Sequence, residues 1–262
     1  MTNSTVTLDI SDRGVATVTL NNPDKHNAFD DEIIAQLTEA FIAVENNSQA
    51  RVMVLASKGK SFSAGADLNW MKRMASYTYE ENLRDSNALA TMLKTLNFLS
   101  KPTIARVQGA AFGGAVGLVS CCDMAIASER ATFSLSEVKI GLMPATISPY
   151  VVAAIGQRFA RRYFNTAERF SAETAAQLGL VSEVVVEDAL DPCIDILIKA
   201  LLANSPAAIK ASKQLIFDVA DREVTDELIG ETSKRIAAIR VSEEGQEGLT
   251  AFLEKRQPSW IN

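Results

Sequence analysis

The chain has 262 residues, which suits one large domain or one domain with an appendage. Apolar residues make up 47%, enough for a sizeable core, and no apolar run approaches the length of a membrane span. The net charge of −6 argues against a nucleic-acid surface, which would need clustered Lys and Arg, but leaves room for a local basic pocket for a phosphate.

Residues 6–10 and 15–20 alternate apolar and polar around Asp12-Arg13-Gly14, which predicts a hairpin. Residues 21–29 form a loop rich in turn formers. Asp30 then precedes a helix whose apolar face includes Ile33, Leu37, Phe41 and Val44. Residues 52–56 read as a buried strand, followed by a small-residue loop over 58–67. A helix or lid comes next, with Trp70, Met71 and Met74 facing inward, and a further helix spans roughly 80–99.

An extended apolar run over 103–107 leads into the stretch that organises the rest, Gln108-Gly109-Ala110-Ala111-Phe112-Gly113-Gly114-Ala115. It passes through a small-residue turn and then reads as a helix. Gly113 and Gly114 carry no side chain, so a ligand can approach the backbone closely. They sit where a helix begins, with N–H groups that lack intrahelical partners at the positive end of the dipole. Such a place binds an oxyanion. Glu137 follows about one strand later, and the pairing suggests a site that stabilises negative charge and moves a proton. The plain alternative is a tightly packed turn with a surface Glu137 paired to Lys139 along a strand. A catalytic Glu137 should be partly desolvated by Phe133, Leu135, Val138 and Ile140, which would raise its pKa.

Beyond the turn formed by residues 143–149, short helices are expected over 157–166 and 172–178, and a strand over 181–186. From Asp191 onward there is almost no strand pattern. Helices are predicted over 191–203, 206–220, 223–240 and 242–254. The pattern predicts an α/β core over 1–190 and a helical region over 191–262. The latter is too small for its own core and should pack on the first or on a neighbouring subunit.

Much chemistry is excluded. His26 is the only histidine, so histidine-based metal sites fail by count, and no metal is expected. Its place in an Asn-Pro loop suits a surface or backbone role, and no G-x-S-x-G elbow is present. Neither a dinucleotide fingerprint nor a P-loop is found. Cys121, Cys122 and Cys193 show no metal spacing, and Cys121-Cys122 read as small core residues of an apolar helix. The segment Met1-Thr2-Asn3-Ser4-Thr5-Val6 has neither an apolar signal core nor the arginines of a presequence, so the expected location is cytoplasmic. What remains is backbone donors plus carboxylates.

Four segments, in order, resemble the crotonase superfamily, the enoyl-CoA hydratase/isomerases. They are Asn22-Pro23-Asp24-Lys25-His26-Asn27-Ala28-Phe29, Ser61-Phe62-Ser63-Ala64-Gly65-Ala66-Asp67-Leu68, the 108–115 stretch, and Cys122-Asp123-Met124-Ala125-Ile126-Ala127 with residues 133–141. The likeness covers nearly the whole chain. It implies an α/β fold, a crotonase-like spiral of ββα units with a helical C-terminal trimerisation region, assembling as a trimer or hexamer. It implies an acyl-CoA thioester as substrate and no separate cofactor, with the thioester carbonyl held by the N–H groups of Ala66 and Gly114. One such donor is worth roughly 3–4 kcal/mol in the transition state. The CoA moiety is expected along Lys25, Ala28, Ala64, Asp67 and Leu68, with Phe252 and Lys255 reaching a CoA, in the same or another subunit. Trp70, Gly113 and Gly117 are expected on the substrate side as well.

Known hydratases of this family use two glutamates. Glu137 matches the second, and Gly117 stands where the first would be. Water addition needs one group to deprotonate water and another to deliver a proton, whereas double-bond isomerisation needs one carboxylate. That argument favours an isomerase. A finer resemblance favours a hydratase. Gly65-Ala66-Asp67-Leu68-Asn69-Trp70-Met71, Lys101-Pro102-Thr103-Ile104-Ala105-Arg106-Val107-Gln108, Leu135-Ser136-Glu137-Val138 and Ile147-Ser148-Pro149-Tyr150 resemble bacterial methylglutaconyl-CoA and carboxygeranoyl-CoA hydratases. That implies a short branched or carboxylated acyl group, with Arg73, Arg158, Arg161 or Arg162 as its cation. A catalytically silent acyl-CoA binder is a third reading.

Overall fold

The alternation at the start of the chain gives the expected hairpin. β1 (Val6–Ile10) pairs antiparallel with β2 (Val15–Leu20). The computed structural model describes residues 4–261; Met1, Thr2 and Asn3 of the N-terminal segment read above, and Asn262, lie outside the described residues. Asp30 caps α1 (Asp31–Asn46), its carboxylate accepting from the Ile33 N–H at 2.9 Å. The buried stripe of α1 is Ile33, Ile34, Leu37, Phe41 and Val44. β3 (Val52–Ser57) is buried throughout and pairs parallel with β2, as a continuous apolar run does in a covered sheet.

The two small-residue stretches expected as plain turns each contain a strand. β4 (Ser61–Ser63) precedes α2 (Leu68–Met74) and α3 (Tyr79–Asn97). After β5 (Thr103–Val107) comes β6 (Ala110–Phe112), then α4 (Gly114–Cys121), β7 (Met124–Ser128) and β8 (Thr132–Ser134). Three residues hold too little alternation to read as a strand; β4, β6 and β8 exist because each pairs with the next turn of the chain. The second half also departs from expectation. The helix expected at 157 begins earlier, as α5 (Ser148–Thr166), and kinks at Gly156, whose φ is 72°. β9 (Phe170–Ser171), α6 (Ala172–Leu178) and β10 (Glu183–Val185) follow, the last shorter than expected. Cys121 is buried in α4, but Cys122 lies at its C-cap and is half-buried.

Two sheets result, ordered β1-β2-β3-β5-β7-β10 and β4-β6-β8-β9. The successive pairs β3/β4, β5/β6 and β7/β8 each place one strand in each sheet and are followed by helix. The chain therefore rises as a spiral, with parallel pairing from turn to turn. The main core lies inside the spiral, where Phe41, Phe62, Phe133, Met53, Met92 and Leu96 are fully buried.

From Leu190 every described element is helical. α7 (Leu190–Leu202) lays Leu190, Ile194 and Ile198 over the outer face of the six-stranded sheet, against Val52, Val54, Ile104 and Ile126. α8 (Pro206–Val219), α9 (Asp226–Arg240) and α10 (Glu243–Glu254) are different. Their buried residues are only Lys213, Leu228 and Ala251, while Ile216, Ile229, Ile236, Leu249, Phe252 and Leu253 are exposed. Lys213 ties α8 to the spiral. Its ammonium donates to Asp123 Oδ2 at 2.7 Å, which also accepts from the Thr103 N–H at 2.7 Å and the Thr103 hydroxyl at 3.0 Å. A nearly buried charge persists only with partners of this kind.

Candidate active site

Turn chemistry builds the first loop. The Phe29 N–H donates to Gly65 O at 2.7 Å, and the Asp67 N–H donates to Phe29 O at 2.6 Å. These bonds flank Ala66, whose own N–H faces the other way and has no described acceptor. Asp67 then caps α2, its Oδ1 accepting from the Asn69 and Trp70 N–H groups at 2.8 and 3.1 Å. Its Oδ2 meets Lys25 Nζ at 3.3 Å. Burial works against this charge, but the Trp70 and Asn69 N–H groups and Lys25 outweigh it and hold the carboxyl below the usual range.

The second loop turns on Gly113, at φ 54° and ψ −121°, a conformation that residues with a Cβ avoid. The Gly113 N–H donates to Ser134 O at 2.9 Å, fastening the loop to β8. Gly114 opens α4, and its N–H has no described acceptor. A Cβ on Gly113 would lie 3.3 Å from Glu137 Oε1, so the glycine leaves room for that carboxyl against the loop.

Glu137 opens a short 3-10 turn, Glu137–Ile140, rather than lying along a strand. Its Oε2 is buried and receives no hydrogen bond among the described residues, and it makes no ion pair with Lys139. Burial pushes its pKa above that of an ordinary glutamate, and a bond from its own backbone N–H offsets part of the rise. The surroundings differ from those expected. Phe133 and Leu135 are buried, but Val138 and Ile140 are exposed. The apolar cover comes instead from Phe29, Trp70, Leu89, Met143, Pro144 and Ile147, which share one cavity with the glutamate.

That cavity has a volume of about 180 Å³. Ala66, Gly114 and Glu137, nominated separately from sequence, all line it, and so does Trp70. Trp70 and Met74 come from one face of α2, while Asp85, Ser86 and Leu89 come from α3. Met71 is half-buried but not on the cavity wall. Trp70 Nε1 donates to Asp85 Oδ2 at 2.9 Å. Lys25, Ala28, Ala64, Asp67 and Leu68 gather around the first loop outside the cavity. There the Ala64 N–H donates to His26 O at 2.9 Å, and Leu68 is exposed. Phe252 and Lys255 do not reach the cavity; they stand exposed at the end of α10.

Gly117 is not on the cavity wall either. A Cβ there would come within 2.8 Å of Ile147 Cβ and closer still to its Cγ2, so Ile147 occupies the space above position 117. None of the four nominated arginines lines the cavity. Arg73 pairs with Asp31, Arg162 with Glu168, and Arg158 and Arg161 are exposed on α5. Asp85 escaped the sequence reading. Its signal was a charge at 85 in register with the stripe Leu89, Met92, Leu93 and Leu96, which otherwise faces inward.

Two free N–H donors beside a carboxyl whose pKa burial raises define an enzyme that polarises a carbonyl and moves a proton next to it. The family model described as enoyl-CoA hydratase/isomerase matches residues 11–262, and the chain belongs to that family. It is 31% identical to the short-chain-enoyl-CoA hydratase of Clostridium acetobutylicum, over 93% of this chain and 92% of that one. It is also 31% identical to the 2,3-dehydroadipyl-CoA hydratase of Escherichia coli, over 94% of each. A crystal structure of an enoyl-CoA hydratase from Shewanella pealeana superposes with a TM-score of 0.95 at 49% identity, covering 98% of this chain and 96% of that one. The crotonase fold and an acyl-CoA thioester substrate class follow from this membership.

Proposed function

We propose that the protein adds water across the α,β double bond of a short, branched enoyl-CoA. The observation that carries this is the buried, unpartnered Glu137 Oε2 in the same cavity as the Ala66 and Gly114 donors. The thioester oxygen accepts from Ala66 and Gly114, which stabilises the enolate formed when Cβ is attacked. Glu137, whose pKa burial raises, delivers the proton to Cα. The cavity's apolar cover and small volume suit a short acyl group.

A carboxylated chain such as 3-methylglutaconyl-CoA is the finer form of this reading. The relative named for 2,3-dehydroadipyl-CoA supports it. The cavity wall, however, carries Asp85 and Glu137 and, among the described residues, no Lys or Arg to meet a second carboxylate. The exposed apolar residues of α8, α9 and α10 support a homotrimer or a pair of trimers, which size-exclusion chromatography with light scattering tests. The second reading is an isomerase, favoured by the closure of position 117 by Ile147, which leaves Glu137 as the one glutamate on the cavity wall.

The test follows the enoyl-thioester absorbance with crotonyl-CoA, 3-methylcrotonyl-CoA and 3-methylglutaconyl-CoA. Loss of absorbance that Glu137→Gln abolishes is the expected result. A rise seen only with a 3-enoyl-CoA would establish the isomerase instead, and tight CoA binding with no turnover would leave a silent binder.

A further inference from the structure

The cavity holds a second carboxylate that no part of the family resemblance assigns. Asp85 reaches it from α3, one helical turn before Leu89, and the Trp70 indole holds its Oδ2 at 2.9 Å. No described group donates to its Oδ1. The other polar side chains on the wall are Ser86 and Thr146, whose hydroxyls can orient water but cannot take its proton near neutral pH. Position 117 cannot supply a base, since Ile147 fills its space. We propose that Asp85 is the water-side base of the hydration reaction, aimed by Trp70, with Glu137 as the acid on the Cα side. The inference rests on the hydratase reading above.

The step balances without any further reactant. A water O–H bond breaks and its proton goes to the free Asp85 oxygen while the water oxygen bonds to Cβ. The π electrons of the double bond move onto the thioester oxygen, held by the Ala66 and Gly114 N–H groups. The enolate then collapses as Cα takes the Glu137 proton. The cycle closes when the proton on Asp85 returns to Glu137 through solvent.

Two reactions separate the roles. Crotonyl-CoA hydration needs both carboxylates, whereas exchange of the Cα protons of butyryl-CoA in D₂O needs only Glu137 and the two donors. Asp85→Asn keeps an oxygen that can accept from the Trp70 indole, so the wall stays in place while the base is lost. Hydration kcat should fall about 10²-fold in Asp85→Asn, the scale of a lost general base. KM for crotonyl-CoA and the butyryl-CoA exchange rate should stay within about threefold of wild type. Trp70→Phe, which keeps the carboxylate but frees it, should lower hydration more than exchange, by about tenfold. Asp85→Asn that hydrates at the wild-type rate overturns the assignment, as does one that loses hydration and exchange together, which would make Asp85 a support for the wall. A wild-type protein that exchanges butyryl-CoA protons yet hydrates no enoyl-CoA overturns the hydratase reading itself, a separate outcome.

Discussion

The cavity has two walls built on different principles. One comes from the spiral: Ala66, Gly114 and Glu137 sit on turns fixed by strand pairing, by the bond from Gly113 to Ser134 and by the bonds that flank Ala66. Its carbonyl-holding donors are the backbone N–H groups of Ala66 and Gly114, with the Glu137 carboxyl beside them. The other comes from α2 and α3, where Trp70, Met74, Asp85, Ser86 and Leu89 present side chains alone. The contrast teaches that one fold can keep its carbonyl chemistry constant while the helical wall changes what fits and how water is handled.

Breaking the spiral wall should cost most. Glu137→Gln should lower kcat by about 10³-fold with little change in KM, since it removes the proton donor and keeps the shape. Steady-state kinetics with the preferred enoyl-CoA checks this. Gly113→Ala forces a Cβ into a left-handed position beside Glu137 Oε1, and an activity loss of about 10²-fold is expected, with circular dichroism showing a retained fold. The helical wall should respond more selectively. Leu89→Ala enlarges the cavity, so the kcat/KM ratio of a six-carbon to a four-carbon enoyl-CoA should rise about tenfold.

The smallest effect is one of stability. Burial raises the folded-state pKa of Glu137 above its unfolded value, so the folded chain favours the protonated form. The stability this form contributes is present below the unfolded pKa and is lost as pH rises through the folded value. Glu137→Gln should therefore raise Tm at pH 7, and the gain should shrink as pH falls through the raised folded-state value and be gone by about 4.3, the ordinary glutamate pKa. A gain that persists at pH 4 would show that the glutamate is not desolvated in the folded protein.

The legible parts of the sequence were those with long patterns. α1, β3, α3 and α7 announce themselves through repeated spacing over five or more residues, and the order of the four matching segments was enough to place the fold. β4 and β6 were hidden because three-residue strands are made by pairing with a distant turn and carry no period of their own. On the site, Glu137 and the two donors were legible because glycine and small residues mark a loop that must accept a ligand. The cover over Glu137 was not, because it comes from Phe29, Leu89 and Ile147, separated from it by as much as 108 residues of chain or by a turn whose direction the pattern does not reveal. Asp85 was hidden for the same reason. One charge in an apolar stripe reads as a helix edge until its partner Trp70 is placed.

The packing of Ile147 onto Gly117 bears on the order in which such enzymes can change. A chain of this kind cannot acquire a carboxylate at 117 by one substitution, because the new Cβ meets Ile147 before any benefit can be expressed. A smaller residue at 147 has to come first, and by itself it leaves a void costing about 1 kcal/mol or more. The two positions are thus coupled in space. The glycine is held in place by a neighbour that also covers Glu137, and a change to a two-glutamate site runs through a less stable intermediate.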